Sequence, residues 1–246
     1  MTKPSQIYQE ELDNHRIEPN AQQAQLIQLL DTMHSKLIHR QRQRNRKINT
    51  IRRQIKPRAP IQGIYLWGTV GTGKTYCLDL LYSTLPIKKN RMHFHQFMRT
   101  IHAQLTKNQG IENPLQSIAK DIADQSILLF LDEFIVNDIA DAMILSELLS
   151  HLFHYGLCLI TTSNIPPQDL YLNGIQRERF LPAIALLKHN TTTYELTHHN
   201  DYRQQFIHQE GVYFSPLNKK TYKKIKDSFH FFTHLSTFSF SFFRST

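Results

Sequence analysis

The segment Gly68-Thr69-Val70-Gly71-Thr72-Gly73-Lys74-Thr75 constrains the fold of this chain more than any other. It follows a short apolar run over residues 61–67 and opens an amphipathic stretch that lasts to about Thr84. With Gly63 it holds half of the eight glycines in the chain. A loop of this spacing turns successive backbone N–H groups inward around phosphate oxygens, and the following helix adds the partial positive charge of its N-terminus. In that pattern Lys74 reaches the β and γ phosphates and Thr75 sets its hydroxyl on Mg²⁺. Such a loop works only between a strand and a helix, so it predicts a layered α/β domain.

The remaining sequence supplies the alternation that such a domain needs. After the strand at 61–67, strands are predicted at 91–95, 127–131, 157–162 and 191–196. Helices are predicted at 97–107, from Pro114 onward, at 139–155 closed by Gly156, and at 174–187. Strands alternating with helices imply right-handed crossovers and a parallel sheet covered on both faces. The apolar strands run continuously rather than alternating, as in a sheet buried on both sides. The expected fold is a five-stranded parallel P-loop NTPase core of the AAA+ kind.

Upstream, Asn20 is placed to cap a helix whose stripe is Leu26, Ile27, Leu30, Met33 and Leu37. The period continues weakly through Ile48, Ile51 and Ile55 to Pro57 and Pro60, giving a basic helical arm. The chain of 246 residues carries 29 Lys and Arg against 20 Asp and Glu, a formal charge of +9. Residues 32–58 hold ten of the basic residues and no acid, and residues 217–246 hold six with Asp227 alone opposing them. The rest has 13 basic and 19 acidic residues, so the basicity belongs to two appendages. That arrangement reads either as a solvated helix face or as an anion-binding surface. The expected organisation is a basic helical arm over 1–60, a core over 61–216, and a tail over 217–246 that turns from Lys-rich to Phe- and Ser-rich and is poor material for packing.

Two cysteines, Cys77 and Cys158, cannot alone make a disulfide framework or a four-ligand zinc site, and Cys77 reads as a small buried hydrophobe. Glu10, Glu11, Asp13 and Glu18 in the first twenty residues leave no room for a secretory signal. The apolar runs are far shorter than the ~20 residues of a spanning helix. The expectation is a chain of a reducing compartment, soluble and at most peripheral to a membrane.

Further chemistry lies at the ends of the predicted strands. The run 127–131 ends in Asp132 and Glu133, a Walker B arrangement. Asp132 would hold magnesium through a water, and Glu133 would orient and deprotonate the attacking water. Two acids at a buried strand end repel and lose hydration unless a cation answers them. Strand 157–162 runs into Asn164, whose amide either helps position the attacking water, as at the sensor 1 position of AAA+ ATPases, or starts the turn before Pro166. Arg177 and Arg179 are expected on the helix after it, as candidate arginine fingers or as partners of Glu178 or Glu147. His93 and His95 alternate on the second strand and read as neutral residues packed against the sheet.

In their order these motifs resemble the ZapE family of cell-division ATPases. The resemblance rests on GIYLWGTVGTGKT (63–75), RMHFHQFM (91–98), LDEF (131–134) with DIADAM (138–143), TSNIPP (162–167), LYLNG (170–174) and QRERFLPAI (176–184). It implies a Mg²⁺-dependent ATPase of the bacterial cytoplasm, peripheral at the inner membrane, whose protein partner is FtsZ. By the same resemblance Lys74 and Thr75 serve the nucleotide, Asp132 and Glu133 magnesium and hydrolysis, and Asn164 the sensor role. Arg177 and Arg179 remain candidate fingers between copies of a homo-oligomer. Family members continue well past Pro216 into a helical portion, so a C-terminally truncated homologue is expected. Two other readings stand beside this one: a helicase-loader-like ATPase using its basic arm on DNA, and a nucleotide-binding remnant without turnover.

Overall fold

The computed structural model describes residues 2–45 and 60–197. The basic run beyond residue 45, with Ile48, Ile51, Ile55 and Pro57, and the tail from residue 198 onward lie outside the described residues. The elements are α1 Pro4–Asp13, α2 Ala21–Asn45, β1 Gly63–Trp67, α3 Lys74–Thr84, β2 Lys89–His93, α4 Phe94–Lys107, α5 Pro114–Gln125, β3 Leu128–Asp132, α6 Ile139–His154, β4 Cys158–Ser163, α7 Leu181–Asn190 and β5 Thr191–Glu195. Two single-turn 3₁₀ helices, Pro167–Asp169 and Arg177–Arg179, lie between β4 and α7.

The five strands form one sheet in the order β2-β3-β4-β1-β5, and each neighbouring pair runs parallel. The three central strands β1, β3 and β4 are almost wholly buried, which accounts for their unbroken apolar runs. Alternate residues serve opposite layers. Tyr65, Leu129, Leu131 and Leu159 pack under α4 to α7. Ile64, Leu66, Leu128, Phe130 and Ile160 pack under α1, α2 and α3.

The α2 stripe forms as its spacing predicts. Leu26, Ile27, Leu30, Met33 and Leu37 are all buried, and Asn20 Oδ1 accepts the N–H groups of Gln22 and Gln23 at 3.0 and 3.1 Å. Burying each such side chain contributes roughly 1.5–3 kcal/mol. Tyr8 of α1 joins the same cluster, so the described part of residues 1–60 supplies one covering layer of the sheet. Helix α1 itself carries only a short apolar pattern, and its position is decided by packing against α2 and α3.

The observed elements depart most from expectation around β2 and before Pro182. Strand β2 is Lys89–His93 rather than 91–95, and α4 begins at Phe94. Phe94, Phe97, Met98 and Ile101 are all buried at helical spacing, which draws His95 into the helix. Among the described residues β2 pairs only with β3 and is polar for that reason, so its start at Lys89 carries no apolar signal. The predicted helix 174–187 divides into the Arg177–Arg179 turn and α7, because Pro182 takes the first turn of a new helix.

Candidate functional site

The C-terminal ends of β1, β3 and β4 lie side by side in the sheet, and the residues that follow them carry the chemistry. Residues 68–73 connect β1 to α3. Gly71 and Gly73 stand at φ +88° and +87°, a left-handed backbone that favours glycine. Gly73 is the N-cap of α3, and no side chain closes the first N–H groups of that helix. Those groups, with Lys74 beside them, form a donor set that fits a phosphate chain.

Lys74 Nζ donates to the Gly68 and Thr69 carbonyls at 2.8 Å each and to Asn164 Oδ1 at 3.1 Å. Burial pulls the Lys74 ammonium below its usual range. Lys74 and Asn164, far apart in sequence, are thereby brought together. Thr75 is exposed, and its hydroxyl makes no hydrogen bond among the described residues, leaving an oxygen suited to Mg²⁺. The first turn of α2 also reaches this loop, since Gln23 Nε2 donates to the Thr72 carbonyl at 3.3 Å. The Tyr76 hydroxyl bonds to Glu11 of α1. Neither contact is foreshadowed by spacing, because both cross between layers.

Asp132 ends β3 and lies opposite His93 of β2. Arg91, two residues earlier on β2, grips it: Nε donates to Oδ2 at 2.7 Å and Nη2 to Oδ1 at 3.3 Å. The third nitrogen, Nη1, bonds to Asp79 of α3. The guanidinium lies over the Phe130 ring, 4.4 Å from its centroid, and near that of Tyr82 at 5.6 Å. Burial works against the Arg91 cation, but its hydrogen bonds and charge pairing with Asp132 and Asp79 prevail and hold it above its usual range. The carboxylate that sequence reasoning leaves waiting for a cation therefore has one within the protein. Arg91 is the site residue that the sequence reading misses; its only signal is a basic residue on the strand that must flank Asp132.

Glu133 stands at φ +55° with its carboxylate exposed, 3.6 Å from His93 Nδ1. Its backbone N–H donates to Thr162 Oγ1 at 3.0 Å, which fixes the turn. His93 and His95 are exposed rather than packed against the sheet, and their rings stack at 5.8 Å. Cys77 is fully buried, and burial pushes its thiol up to about 12. No group of three or more metal-ligating side chains occurs among the described residues.

The two arginines have different surroundings. Arg177 Nη2 donates to the Gln168 carbonyl at 2.6 Å, and its Nε is enclosed without a partner. Arg179 is exposed; its backbone N–H donates to the Gln176 carbonyl at 3.0 Å, and its side chain makes no hydrogen bond or ion pair among the described residues. Neither meets Glu178 or Glu147 there; Glu147 instead faces His151 at 3.7 Å. The loop before them is closed by Tyr171, whose hydroxyl donates to the Ile175 carbonyl at 3.0 Å and whose ring faces Phe180 at 5.6 Å. A Cβ at Gly174 would lie 2.1 Å from that ring, so any side chain there must displace Tyr171. Leu172, Ile175 and Leu181 stay exposed around the same segment. Neither arginine side chain is hydrogen-bonded or ion-paired to Lys74, Asp132 or Asn164.

Comparison with solved structures supports the architecture. The chain superposes on DnaI with a TM-score of 0.52 at 16% identity, covering 74% of this chain and 89% of that one. It superposes on AMPPCP-bound DnaA from Aquifex aeolicus with a TM-score of 0.51 at 15% identity, covering 84% and 56%. At these identities the likeness is one of fold, that of P-loop NTPases. Among curated sequences, the cell division protein ZapE of Escherichia coli K12 is 44% identical over 171 residues, which are 69% of this chain and 46% of that protein. Lactation elevated protein 1 homolog B of Danio rerio is 39% identical over 168 residues, 63% of this chain and 33% of that protein. The chain thus spans less than half the length of these relatives. The model of the AFG1-like ATPase family matches residues 1–238, and with the phosphate loop and strand-end carboxylates in place, the chain belongs to that family.

Proposed function

We propose that this chain binds and hydrolyses Mg²⁺-ATP and couples turnover to a protein partner in cell division, by its resemblance to ZapE the FtsZ ring. One observation carries the catalytic part: the phosphate loop, Asn164 and the Asp132–Glu133 pair converge at the ends of three adjacent strands. The bound nucleotide and metal supply the phosphoanhydride and the positive charge that eases its cleavage. The loop N–H groups and Lys74 would hold the phosphates, and Thr75 and Asp132 would hold the metal. Glu133, exposed beside that end of the sheet, accepts a proton from the attacking water. Asn164 exchanges its bond with Lys74 for one to that water or to the terminal phosphate. Arg179, exposed and with no side-chain partner among the described residues, serves as the finger toward a second copy, whereas Arg177 is tied to its own chain through Gln168.

The reading places the protein in the cytoplasm, peripheral at the inner membrane; among the described residues no helix is long and apolar enough to cross one. The ten Lys and Arg of residues 32–58 carry a second reading, contact with DNA, which predicts binding that weakens steeply with salt. The test is steady-state hydrolysis by the purified chain with Mg²⁺, with and without FtsZ, beside Lys74→Ala and Glu133→Gln. Both variants are expected to fall by about a hundredfold or more, with Glu133→Gln still binding nucleotide. FtsZ is expected to raise the native rate. Equal, negligible rates in all three chains with nucleotide bound would make this chain a remnant.

A further inference from the structure

Arg91 is held in a way that reaches beyond fold maintenance. All three guanidinium nitrogens are engaged, two on Asp132 and one on Asp79, and the planar face rests on Phe130. Only an arginine fork makes that set of bonds, because a lysine ammonium cannot meet one carboxylate in bidentate fashion and reach a second. Asp79 lies one helical turn beyond Thr75 on the phosphate-loop helix, so Arg91 links the two elements that must present oxygens to a metal. It also places a full positive charge at the carboxylate that would otherwise attract a free divalent cation.

We propose that Arg91 is a positioning residue that makes cation uptake conditional on nucleotide. Without nucleotide, both Asp132 oxygens are bonded to Arg91 and its charge opposes a metal ion. Phosphate oxygens in the adjacent loop add the negative charge and the ligands that tip the balance, so metal enters with nucleotide rather than ahead of it. Asp132 then receives the cation in an orientation Arg91 has already set. Asp79 stays bonded to the guanidinium throughout and keeps Arg91 in place.

This inference rests on the nucleotide reading above, and the experiment separates the two. Mn²⁺ binding to the full chain is followed by electron paramagnetic resonance, with and without ADP, for the native chain, Arg91→Gln, Arg91→Lys and the double variant Arg91→Gln with Asp132→Asn. The native chain is expected to bind Mn²⁺ tightly only with ADP. Removing the opposing charge in Arg91→Gln is expected to tighten nucleotide-free Mn²⁺ binding by about tenfold and to shrink the effect of ADP by a similar factor. The double variant should lose that gain. Arg91→Lys, which keeps the charge but not the fork, should fall between native and Gln. Unchanged or weaker nucleotide-free binding in a folded Arg91→Gln overturns the inference while leaving the nucleotide reading intact. Absence of any ADP-dependent Mn²⁺ binding in the native chain overturns the nucleotide reading itself.

A measurement on the native chain guards against variants that fail to fold. The Arg91 Nε–H signal in a ¹⁵N spectrum should move on adding Mg²⁺ with ADP and stay in place with Mg²⁺ alone. A shift of that signal with Mg²⁺ alone rejects the proposal.

Discussion

The two halves of the candidate site are built on different principles. The phosphate side is made of backbone: glycines in left-handed conformation, an uncapped helix start, and Lys74 turned back onto loop carbonyls. No side chain closes the first N–H groups of the helix that follows, so donors stand there for a ligand. The carboxylate side is made of side chains already satisfied by one another, with Arg91 bonded to Asp132 and Asp79. The difference teaches that the first half stores binding capacity and the second stores order. Truncating Lys74 on the phosphate side should therefore cost function with little stability, and substitutions on the carboxylate side should cost both.

The sharpest way to break that contrast is Lys74→Ala. Nucleotide affinity should fall by about a hundredfold or more, since a charge-assisted contact to phosphate is lost. The midpoint of urea unfolding should barely move. Loss of stability equal to that of a core variant would erase the distinction.

Asp132→Asn tests the other half. It leaves the partly buried Arg91 facing one carboxylate instead of two and should destabilise the ligand-free chain by about 2–3 kcal/mol, read from chemical denaturation. Metal-free nucleotide binding should persist. A stability equal to that of the native chain would show the grip on Asp132 to be idle.

Gly73→Ala sharpens the comparison at the loop itself. The residue stands at φ +87°, and an added Cβ would approach Gln23 Nε2 to 2.6 Å. The left-handed strain should cost about 1–2 kcal/mol, and the displaced Gln23 should loosen the contact between α2 and the loop. Replacing Gln23 with Ala in the same chain should recover the crowding part of the cost and leave the strain.

The smallest effect concerns protons. The Lys74 ammonium is held below its usual range by burial, and phosphate beside it would raise that value. Nucleotide affinity should then decline as pH rises through the lowered value, and binding in that window should take up a proton. Calorimetry in two buffers of different ionisation enthalpy reads this directly; identical apparent enthalpies would place the lysine outside the binding step.

What the sequence determined by itself was local in origin. The phosphate loop, the cap at Asn20, the α2 stripe and the apolar strands ending in Asp132 and Glu133 each depend on residues a few positions apart, where hydrogen-bond geometry and side-chain period act directly. The tertiary structure alone decided which strand ends became neighbours. The order β2-β3-β4-β1-β5 sets Arg91 against Asp132 and His93 near Glu133, and brings Asn164 to Lys74. It also decided that Arg177 is spent on Gln168 while the Arg179 side chain has no partner among the described residues, a distinction no spacing carries because both stand on one turn. The polar edge strand β2 hid its own start and the partner of Asp132 together. An edge strand shows little apolar pattern, and a half-buried ion pair between strands becomes visible only when the sheet has brought its two halves together.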